Sequence, residues 1–548
     1  MASQDKMYVK IALILFILIF LGAKTILFTS QPFIEDPGTY QHINAIQNTF
    51  QEENAGEILA KDIASDDGLG IYYKIIAALV FLGVPLIGTV ITIELLSWAI
   101  LLLLVYKLAK DVADSRYAGM FAVILTAITP VFFMPPNSRL TPEITIITII
   151  LFTTYLLLKS SILFESEKED KDLKQIFTLL GPGKKKKTKE QYKSYYITLL
   201  GFSAIIASLF SPYTLVLVAQ LLFFLLISYL EHYKDKAYFR EFTTFYLFVS
   251  IGFYLFSHQE TLRVLKSNAL FGNTPYALKT VSEGLFAPSQ IFYQIGIIAV
   301  LAGIYSIYYY FNNKRLKEQK KIMFHIAGVI SAVVPYLFMI GNAYFLLAYT
   351  SILLSIIISS FVNRFINHAK TYYKFTFQER TYWLALAIIT LSGILSVHYS
   401  LAFSIPPVTD PLPQQFVKGS TWINEYGDNR TLVVVPYTFA DAAAHFTAKN
   451  IIIGNDLISV TDPQRHIRNI DEIYTNINSI ATQEILDSYL QQHNLASAYI
   501  YFDESIAQTY DISHPGFSYN DECFPPVFQK GNATVYYYQC KGVETDDR

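Results

Sequence analysis

The sequence predicts a polytopic α-helical membrane protein of about 11 helices, or up to 13, with a C-terminal extracytoplasmic α/β domain. Hydrophobic residues make up 53% of the 548 positions and aromatic residues 15%, which exceeds the usage of soluble domains. Apolar runs of roughly 17–22 residues recur through the first 400 positions, and in hydrocarbon only a helix satisfies its own backbone over that length. Beyond position 413, helical and β-branched segments alternate, as is typical of an α/β domain.

Eleven apolar runs have the length of a membrane span. The first follows Lys6 and Lys10 and precedes no small-residue cleavage site, which predicts a signal anchor. The two runs between positions 195 and 230 are short enough to form one helical hairpin, so the count stays open by one or two. The predicted spans are 9–29, 88–108, 117–134, 142–158, 195–210, 212–230, 241–257, 291–311, 322–340, 342–361 and 382–400.

The distribution of Lys and Arg predicts the orientation. With the N-terminus in the cytoplasm, the inner segments hold 27 basic residues and the outer loops hold 6, as the positive-inside rule requires. The C-terminal domain then lies outside the cytoplasm, at the plasma membrane or the endoplasmic reticulum. The basic run Lys184–Lys187 lies on the inner side, which favours contact with anionic lipid over a nucleic-acid partner.

The predicted domains are a transmembrane domain over 1–400, a Pro-rich linker over 401–413 and the α/β domain over 414–548. Two outer loops, 30–87 and 257–290, are long enough to carry function. The apolar run after Lys74 is too short to span, so we expect it to lie along the membrane surface. Within the tail we predict helices over 414–426, 440–448 and 483–493, and strands over 431–435, 451–453 and 498–502. The tail also holds both cysteines, Cys523 and Cys540, which could form one disulfide or stay free.

Acidic residues at the outer ends of predicted spans are the candidate catalytic or metal-binding residues. Asp36 follows the first span, Glu143 opens the fourth and Glu283 lies in the second long loop. Carboxylates gathered at one leaflet could bind a hard divalent cation or act as a general base. Arg139 and Lys74 on the same side could bind a donor phosphate. Each carboxylate also has a structural interpretation, as a helix-dipole partner, a turn residue or a solvated loop residue.

Several motifs resemble the C-type (GT-C) membrane glycosyltransferases, and among them the catalytic subunit of oligosaccharyltransferase. Glu35-Asp36-Pro37 is similar to the first-loop acidic motif of that family, and Thr280-Val281-Ser282-Glu283 to its long-loop motif. The stretch from Ser115 to Glu143 resembles its third helix and second acidic motif. The resemblance implies catalytic roles for Asp36, Glu35 and Glu283. It also implies a magnesium or manganese ion on Asp36, Glu143 and Glu283, and a donor-phosphate site at Arg139, Lys74 and His42.

The sequence departs from the oligosaccharyltransferase pattern where that subunit reads its acceptor. The expected Trp-Trp-Asp-Tyr-Gly after Val435 is replaced by Pro436-Tyr437-Thr438-Phe439-Ala440, and His42 stands where a basic residue is expected. The resemblance therefore implies transfer of a sugar from a polyprenyl-phosphate-linked donor to a protein, glycan or lipid acceptor at the outer leaflet. In this chemistry Asp36 would act as the base, with or without a metal.

Two other functions stay open. The chain could be an oligosaccharyltransferase that moves a lipid-linked oligosaccharide to Asn of a protein. It could also be a non-catalytic membrane scaffold or a lipid-sugar transporter, although transporters usually place ionisable residues within the membrane.

Overall fold

The chain is a bundle of apolar helices followed by a small mixed sheet with helices. The computed structural model describes residues 2–30, 70–132, 143–160, 189–210, 212–230, 240, 242–255, 288–312, 319–338, 343–373, 414–427, 431–436, 439, 443, 447, 451–453, 463–476, 479–510, 512–520 and 522–539. It confirms the predicted fold class. The predicted domain boundaries near 400 and 413 lie outside these residues and stay predictions.

The described residues of the first part of the chain form twelve α-helices. Short 3₁₀ turns at Pro130–Phe132 and Pro212–Thr214 interrupt the helical pattern. The helices are α1 (Ala2–Ser30), α2 (Gly70–Phe81), α3 (Leu86–Ala113), α4 (Arg116–Ala127), α5 (Glu143–Ser160), α6 (Lys189–Phe210), α7 (Leu215–Leu230), α8 (Phe242–Leu255), α9 (Pro288–Ile295), α10 (Ile297–Asn312), α11 (Gln319–Leu337) and α12 (Ala343–Tyr373).

Ten of the eleven predicted spans overlap these helices, and the eleventh, 382–400, lies outside the described residues. The eighth, 291–311, is wrong as one continuous helix, because Gly296 at φ +95° separates α9 from α10. That backbone conformation is open to glycine and costly for other residues. The last described span is longer than predicted, since α12 continues to Tyr373. Within the described part, three helices are long and apolar enough to cross a membrane by themselves: Met7–Ile26, Gly88–Ala113 and Phe345–Asn367.

The bundle packs through close approaches at small residues. A Cβ added to Gly119 of α4 would lie 2.8 Å from the carbonyl oxygen of Tyr106 in α3, so glycine is needed for the two backbones to come this close. Gly328 of α11 is equally restricted, with Leu353 of α12 at 2.5 Å and Gln220 of α7 at 2.8 Å from an added Cβ.

Gln220 is the main hydrogen-bonding residue among the last helices of the bundle. Its Nε2 donates to the carbonyl oxygen of Phe324 in α11 at 3.1 Å, and its Oε1 accepts from the Tyr349 hydroxyl of α12 at 2.6 Å. The side chain is fully buried. A buried amide with both ends bonded to different helices fixes the arrangement of α7, α11 and α12.

Polar contacts hold the C-terminal end of α3. Asp114 ends the helix in the left-handed conformation at φ 48°. Lys321 Nζ donates to the Asp111 carbonyl oxygen at 3.3 Å, and Asn363 Nδ2 to that of Ala113 at 3.3 Å. The Asp111 carboxylate also forms an ion pair with Lys159 of α5 at 2.9 Å. These cations and donors satisfy the carbonyls that a helix C-terminus leaves open.

The helix predicted at the membrane surface is α2, and it packs against α3. Tyr72, Ile76 and Ala77 are buried on one face, next to Val90 and Ile93 of α3. Gly83 at φ +91° follows α2 and lets the chain turn back into α3.

The tail forms a five-stranded mixed sheet in the order β2-β1-β3-β5-β4. β1 pairs in parallel with β2 and β3, and the β4–β5 hairpin adds to β3 antiparallel. All five residues of β3 are buried. The elements are α13 (Gln414–Tyr426), β1 (Leu432–Val434), β2 (Ile451–Ile453), α14 (Pro463–Thr475), α15 (Ser479–His493), β3 (Ala498–Phe502), α16 (Glu504–Tyr510), β4 (Pro526–Lys530) and β5 (Ala533–Tyr538).

The three predicted strands and the predicted helices over 414–426 and 483–493 are present in the tail, and the structure adds others. The predicted helix at 440–448 falls mostly on residues outside the description. Sequence reasoning missed α14, α16 and the β4–β5 hairpin. α14 is polar overall and turns Ile470, Ile473 and Tyr474 inward, so its helical period was readable. Cys523 is disulfide-bonded, and the second cysteine of the chain, Cys540, lies outside the described residues.

Buried tyrosines cross-link the elements of the tail. The Tyr474 hydroxyl of α14 donates to the carbonyl oxygens of Val434 in β1 at 3.1 Å and Tyr501 in β3 at 3.0 Å. Burial raises the pKa of Tyr474 well above its usual value, so the hydroxyl keeps its proton and remains a donor. The Tyr501 hydroxyl donates to Asp503 at 2.8 Å. The two bonds of Tyr474 hold α14 against the carboxyl ends of the parallel strands β1 and β3.

Candidate functional site

Two of the predicted membrane-site residues, Glu143 and Lys74, lie in the described part of the chain. Both are buried, with exposed fractions of 8% and 9%. The other predicted site residues, Glu35, Asp36, His42, Arg139 and Glu283, lie outside the described residues, and their roles stay predictions.

Glu143 is the first residue of α5, as its place in the sequence predicts. Two bonds tie this end of α5 to α3. The hydroxyls of Ser97 and Thr145 lie 2.9 Å apart, and the Thr148 hydroxyl donates to the Ser97 carbonyl oxygen at 3.2 Å. Contacts with α3 therefore set the position of the Glu143 backbone. The Glu143 carboxylate can interact favourably with the positive N-terminal end of its own helix dipole.

Lys74 belongs to α2, the helix that packs against the beginning of α3. Tyr72, two residues earlier, is 4% exposed and lies within electrostatic range of both Glu143 and Glu94 of α3. α2 therefore brings a phenol to the same end of the bundle as Glu143, and Lys74 is buried on the same helix.

Glu94 is the residue that sequence reasoning missed. It lies inside the predicted span 88–108, and its side chain is 1% exposed. Neither carboxylate oxygen has a hydrogen-bond partner among the described residues, and the indole nitrogen of Trp98 lies nearby without good hydrogen-bond geometry. The signal was available, because a carboxylate in an apolar run is costly and usually marks function.

Lys24 of α1 is the counterpart of Glu94. It is 1% exposed and within electrostatic range of the Glu94 carboxylate. Its Nζ donates to the carbonyl oxygen of Phe132 and lies 4.7 Å from the centre of the Trp98 ring. Phe20 and Phe132 pack edge-on against Trp98 at 5.2 and 5.0 Å.

Together these residues form a charged cluster of Lys24, Glu94 and Glu143 with Tyr72 beside it. Its members come from α1, α2, α3 and α5, at the end of the bundle where α1 ends and α5 begins. In a medium of low dielectric such charges interact strongly and can stabilise charge that develops on a bound substrate. The arrangement suits chemistry on an anionic or hydroxyl-bearing group.

Of the three metal ligands that the resemblance implies, Glu143 lies in the described part of the chain. Carboxylate oxygens are the donors that magnesium and manganese prefer, and Glu143 fits that role. Among the residues the structure describes, no three acidic, His or Cys side chains come together as a metal site. Any complete site would need Asp36 and Glu283.

Searches with the sequence gave no match to a family model or to a curated protein. The fold, in contrast, matches solved structures. The archaeal oligosaccharyltransferase AglB from Archaeoglobus fulgidus, in complex with an inhibitory peptide and a dolichol-phosphate, superposes with a TM-score of 0.57 at 11% identity, covering 97% of this chain and 74% of that one. The A. fulgidus oligosaccharyltransferase complex with Zn and sulfate gives 0.54 at 12% identity, covering 95% and 73%.

ArnT from Cupriavidus metallidurans, bound to undecaprenyl phosphate, superposes with a TM-score of 0.51 at 11% identity, covering 95% of this chain and 98% of that one. These structures share a polytopic membrane part followed by a soluble C-terminal domain. The chain has the GT-C fold. The predicted resemblance is thereby confirmed for the architecture. The charged cluster lies among the first five described helices, and its Lys24 precedes Asp36 by twelve positions in the sequence.

Proposed function

We propose that this protein transfers a sugar from a polyprenyl-phosphate-linked donor to an acceptor at the outer leaflet. The observation that carries the proposal is a buried charged cluster, including Glu143, at one end of a GT-C bundle. Support also comes from the lipid phosphates named for AglB and ArnT. The N-terminus would be cytoplasmic and the C-terminal domain extracytoplasmic, as the basic residues predict.

The proposed chemistry is displacement at the anomeric carbon. An acceptor oxygen forms the new bond to that carbon, the bond to the phosphate oxygen breaks, and its electron pair leaves with polyprenyl phosphate. The hydroxyl proton passes to a carboxylate, which we assign to Asp36. Lys74, Arg139 and His42 would hold the leaving phosphate through charge-assisted hydrogen bonds. A divalent metal, when bound, would supply further positive charge to the phosphate, with Glu143, Asp36 and Glu283 as its ligands.

Transfer to an acceptor other than a protein asparagine is favoured over oligosaccharyltransferase activity. The segment after β1 carries Pro436 to Ala440 in place of the acceptor-reading motif. The chain also accounts for 98% of the ArnT structure and 74% of AglB. Oligosaccharyltransferase activity remains the second candidate, because the superposition on AglB has the higher TM-score.

Reconstitution in proteoliposomes tests the proposal. We expect release of polyprenyl phosphate from a polyprenyl-phosphate hexose in the presence of a glycan and glycolipid extract of the source cells. Turnover only with a lipid-pyrophosphate oligosaccharide and a sequon peptide would replace this proposal by the oligosaccharyltransferase. No turnover with either donor would favour a scaffold or transporter. Each assay is run with magnesium, with manganese and with chelator to decide the metal requirement.

Two substitutions test the assigned residues. Asp36→Ala should abolish turnover, and Glu143→Gln should lower kcat by about 10²–10⁴-fold, the range for loss of a positioned acid–base group or ligand. Asp111→Asn, at the far end of α3, is the matched carboxylate control and should keep kcat near wild type. Unchanged turnover in Asp36→Ala would contradict the catalytic assignment.

A further inference from the structure

We propose that Lys24 and Glu94 are a positioning pair that holds the end of α1 in the geometry the transfer reaction needs. This inference rests on the proposed function, since it assigns a role within the same site. Neither of the two residues belongs to the acidic loop motifs or to the predicted phosphate site.

Burial makes the two charges dependent on one another. Each side chain is 1% exposed, and an isolated charge inside a membrane protein is costly. The Lys24 ammonium lies 4.7 Å from the ring centre of Trp98, which is one helical turn after Glu94 in α3, so the two groups of opposite charge share one buried environment and each can compensate the other. Removing one partner leaves an uncompensated buried charge, whereas removing both does not.

Lys24 connects three parts of the bundle. Its ammonium donates to the carbonyl oxygen of Phe132, which follows α4, and lies over the Trp98 ring of α3. It sits six residues before Ser30, the last residue of α1. Glu35 and Asp36 follow Ser30 by five and six positions. An anchor at Lys24 therefore fixes the end of α1, the helix that the proposed base Asp36 follows in the sequence.

Glu94 couples that anchor to Glu143. Buried carboxylates are normally hydrogen-bonded, and one without such bonds calls for a functional explanation. Glu94 has no hydrogen-bond partner among the described residues, but on the next turn of α3 Trp98 lies under the Lys24 ammonium and the Ser97 hydroxyl lies 2.9 Å from that of Thr145 in α5. It therefore relates the end of α1 to the beginning of α5, the two elements that flank the proposed reaction.

The pair acts through other residues and does not contact substrate. Trp98, which lies under the ammonium, is fully buried and packs against Phe20 and Phe132. Its ring leaves no face for a sugar. Lys24 is enclosed by the same aromatic residues.

Thermal unfolding and turnover of the reconstituted full chain test the pair together. Lys24→Met and Glu94→Gln should each lower Tm, and the double variant should recover most of that loss because neither partner is then left as a buried charge without the other. The kcat for a polyprenyl-phosphate hexose should fall at least tenfold in all three variants, with KM for this donor unchanged. The double variant separates stability from positioning. Its Tm should recover, whereas its kcat should stay low because the Lys24 anchor is missing.

A matched ion pair lies at the other end of α3. Asp111 and Lys159 connect the same two helices, α3 and α5, at 2.9 Å. Asp111→Asn, Lys159→Met and their double variant should change Tm without changing kcat. If kcat of the Lys24 and Glu94 variants follows Tm, and the double variant recovers both, the pair only stabilises the fold and the positioning role is overturned. A rise in KM would overturn it too, in favour of direct donor binding.

A distance measurement separates this inference from the proposed function. Spin labels at Ile26 of α1 and Leu96 of α3, both well exposed, report the position of the α1 end without any turnover. We expect a narrow distance distribution in the wild type, broadening in the Lys24→Met/Glu94→Gln double variant and none in the Asp111→Asn/Lys159→Met control. Unchanged distances in the first double variant would overturn the positioning role. Broadening without turnover in the wild type would retain the anchor and refute the proposed reaction.

Discussion

The helical bundle and the tail domain bury polar side chains in different ways. In the bundle, many hydroxyls bond within their own helix, as Thr350 does to Leu346, Ser355 to Ser351 and Ser359 to Ile356. In the tail, buried hydroxyls connect different elements, as Tyr474 does from α14 to β1 and β3.

The difference follows from what each part must hold together. A helix in hydrocarbon already satisfies its backbone, so a Ser or Thr needs only a carbonyl one turn back. The ends of sheet strands leave carbonyls that another element has to satisfy. Polar groups that link different helices in the bundle, such as Gln220 and the Lys24–Glu94 pair, therefore help to determine which helices pack together.

The tail should respond most strongly to loss of one hydroxyl. Tyr474→Phe keeps the ring but leaves the carbonyl oxygens of Val434 and Tyr501 without this donor, so we expect a loss of about 1–3 kcal/mol in unfolding free energy. Denaturant unfolding of the tail, followed by its near-ultraviolet tyrosine signal in the full-length protein, measures it. Tyr519→Phe is the control, since that ring is 78% exposed. Equal effects of the two changes would contradict the cross-linking role.

Loss of the interhelical amide should have a smaller effect in the bundle. Gln220→Leu removes the bonds to Phe324 and Tyr349, and interhelical hydrogen bonds in membranes contribute about 0.6 kcal/mol on average and about 1.7 at most. Thermal unfolding in detergent provides the measurement. Tyr349→Phe removes one of these two bonds and should give a smaller loss, and the double variant should be no worse than Gln220→Leu alone, because the bond of Tyr349 is already lost in that variant. Additive losses would show that the two residues act separately.

The tail should also show a modest pH dependence. Burial raises the pKa of Asp471 to about 6, in spite of the Tyr510 hydroxyl that donates to it at 2.8 Å. The folded state then holds a proton that the unfolded state releases. This stabilisation is complete below the unfolded pKa, near pH 4, and is lost as the pH rises to about 6.

Asp471→Asn removes this dependence. The Tm of the variant relative to wild type should therefore increase between pH 4 and pH 7, by less than the change in Tyr474→Phe. Glu484→Gln, an exposed carboxylate on α15, serves as the control and should show no such trend. A difference that stays constant over this range would refute the assignment.

The smallest effect is expected for a hydroxyl that bonds within its own helix. Thr350→Val keeps the shape of the buried side chain, and the Leu346 carbonyl oxygen retains its place in the helix. The loss should be no more than about 0.5 kcal/mol, the low end for a hydrogen bond. A loss as large as that of Gln220→Leu would remove the contrast between hydroxyls within one helix and amides between helices.

Much of the architecture was predictable because it depends on local patterns. Apolar runs located ten helices that the structure describes, and β-branched clusters located β1, β2 and β3. The break at Gly296 was missed, because a single glycine within an apolar run does not by itself state its backbone conformation. The hairpin of β4 and β5 was missed as well, although Gly531 at φ +62° marks its turn.

Of the candidate site, the sequence by itself determined Glu143 at a helix start and Lys74 within the first long outer loop. Glu94 was visible as a charge in a span, and Lys24 as another, but nothing local pairs residues 70 positions apart. Only the tertiary structure decided that these two share one buried environment with Glu143 and Trp98. The physical reason is that helix formation depends on neighbours in the chain, whereas the partner of a buried charge is chosen by how the helices pack.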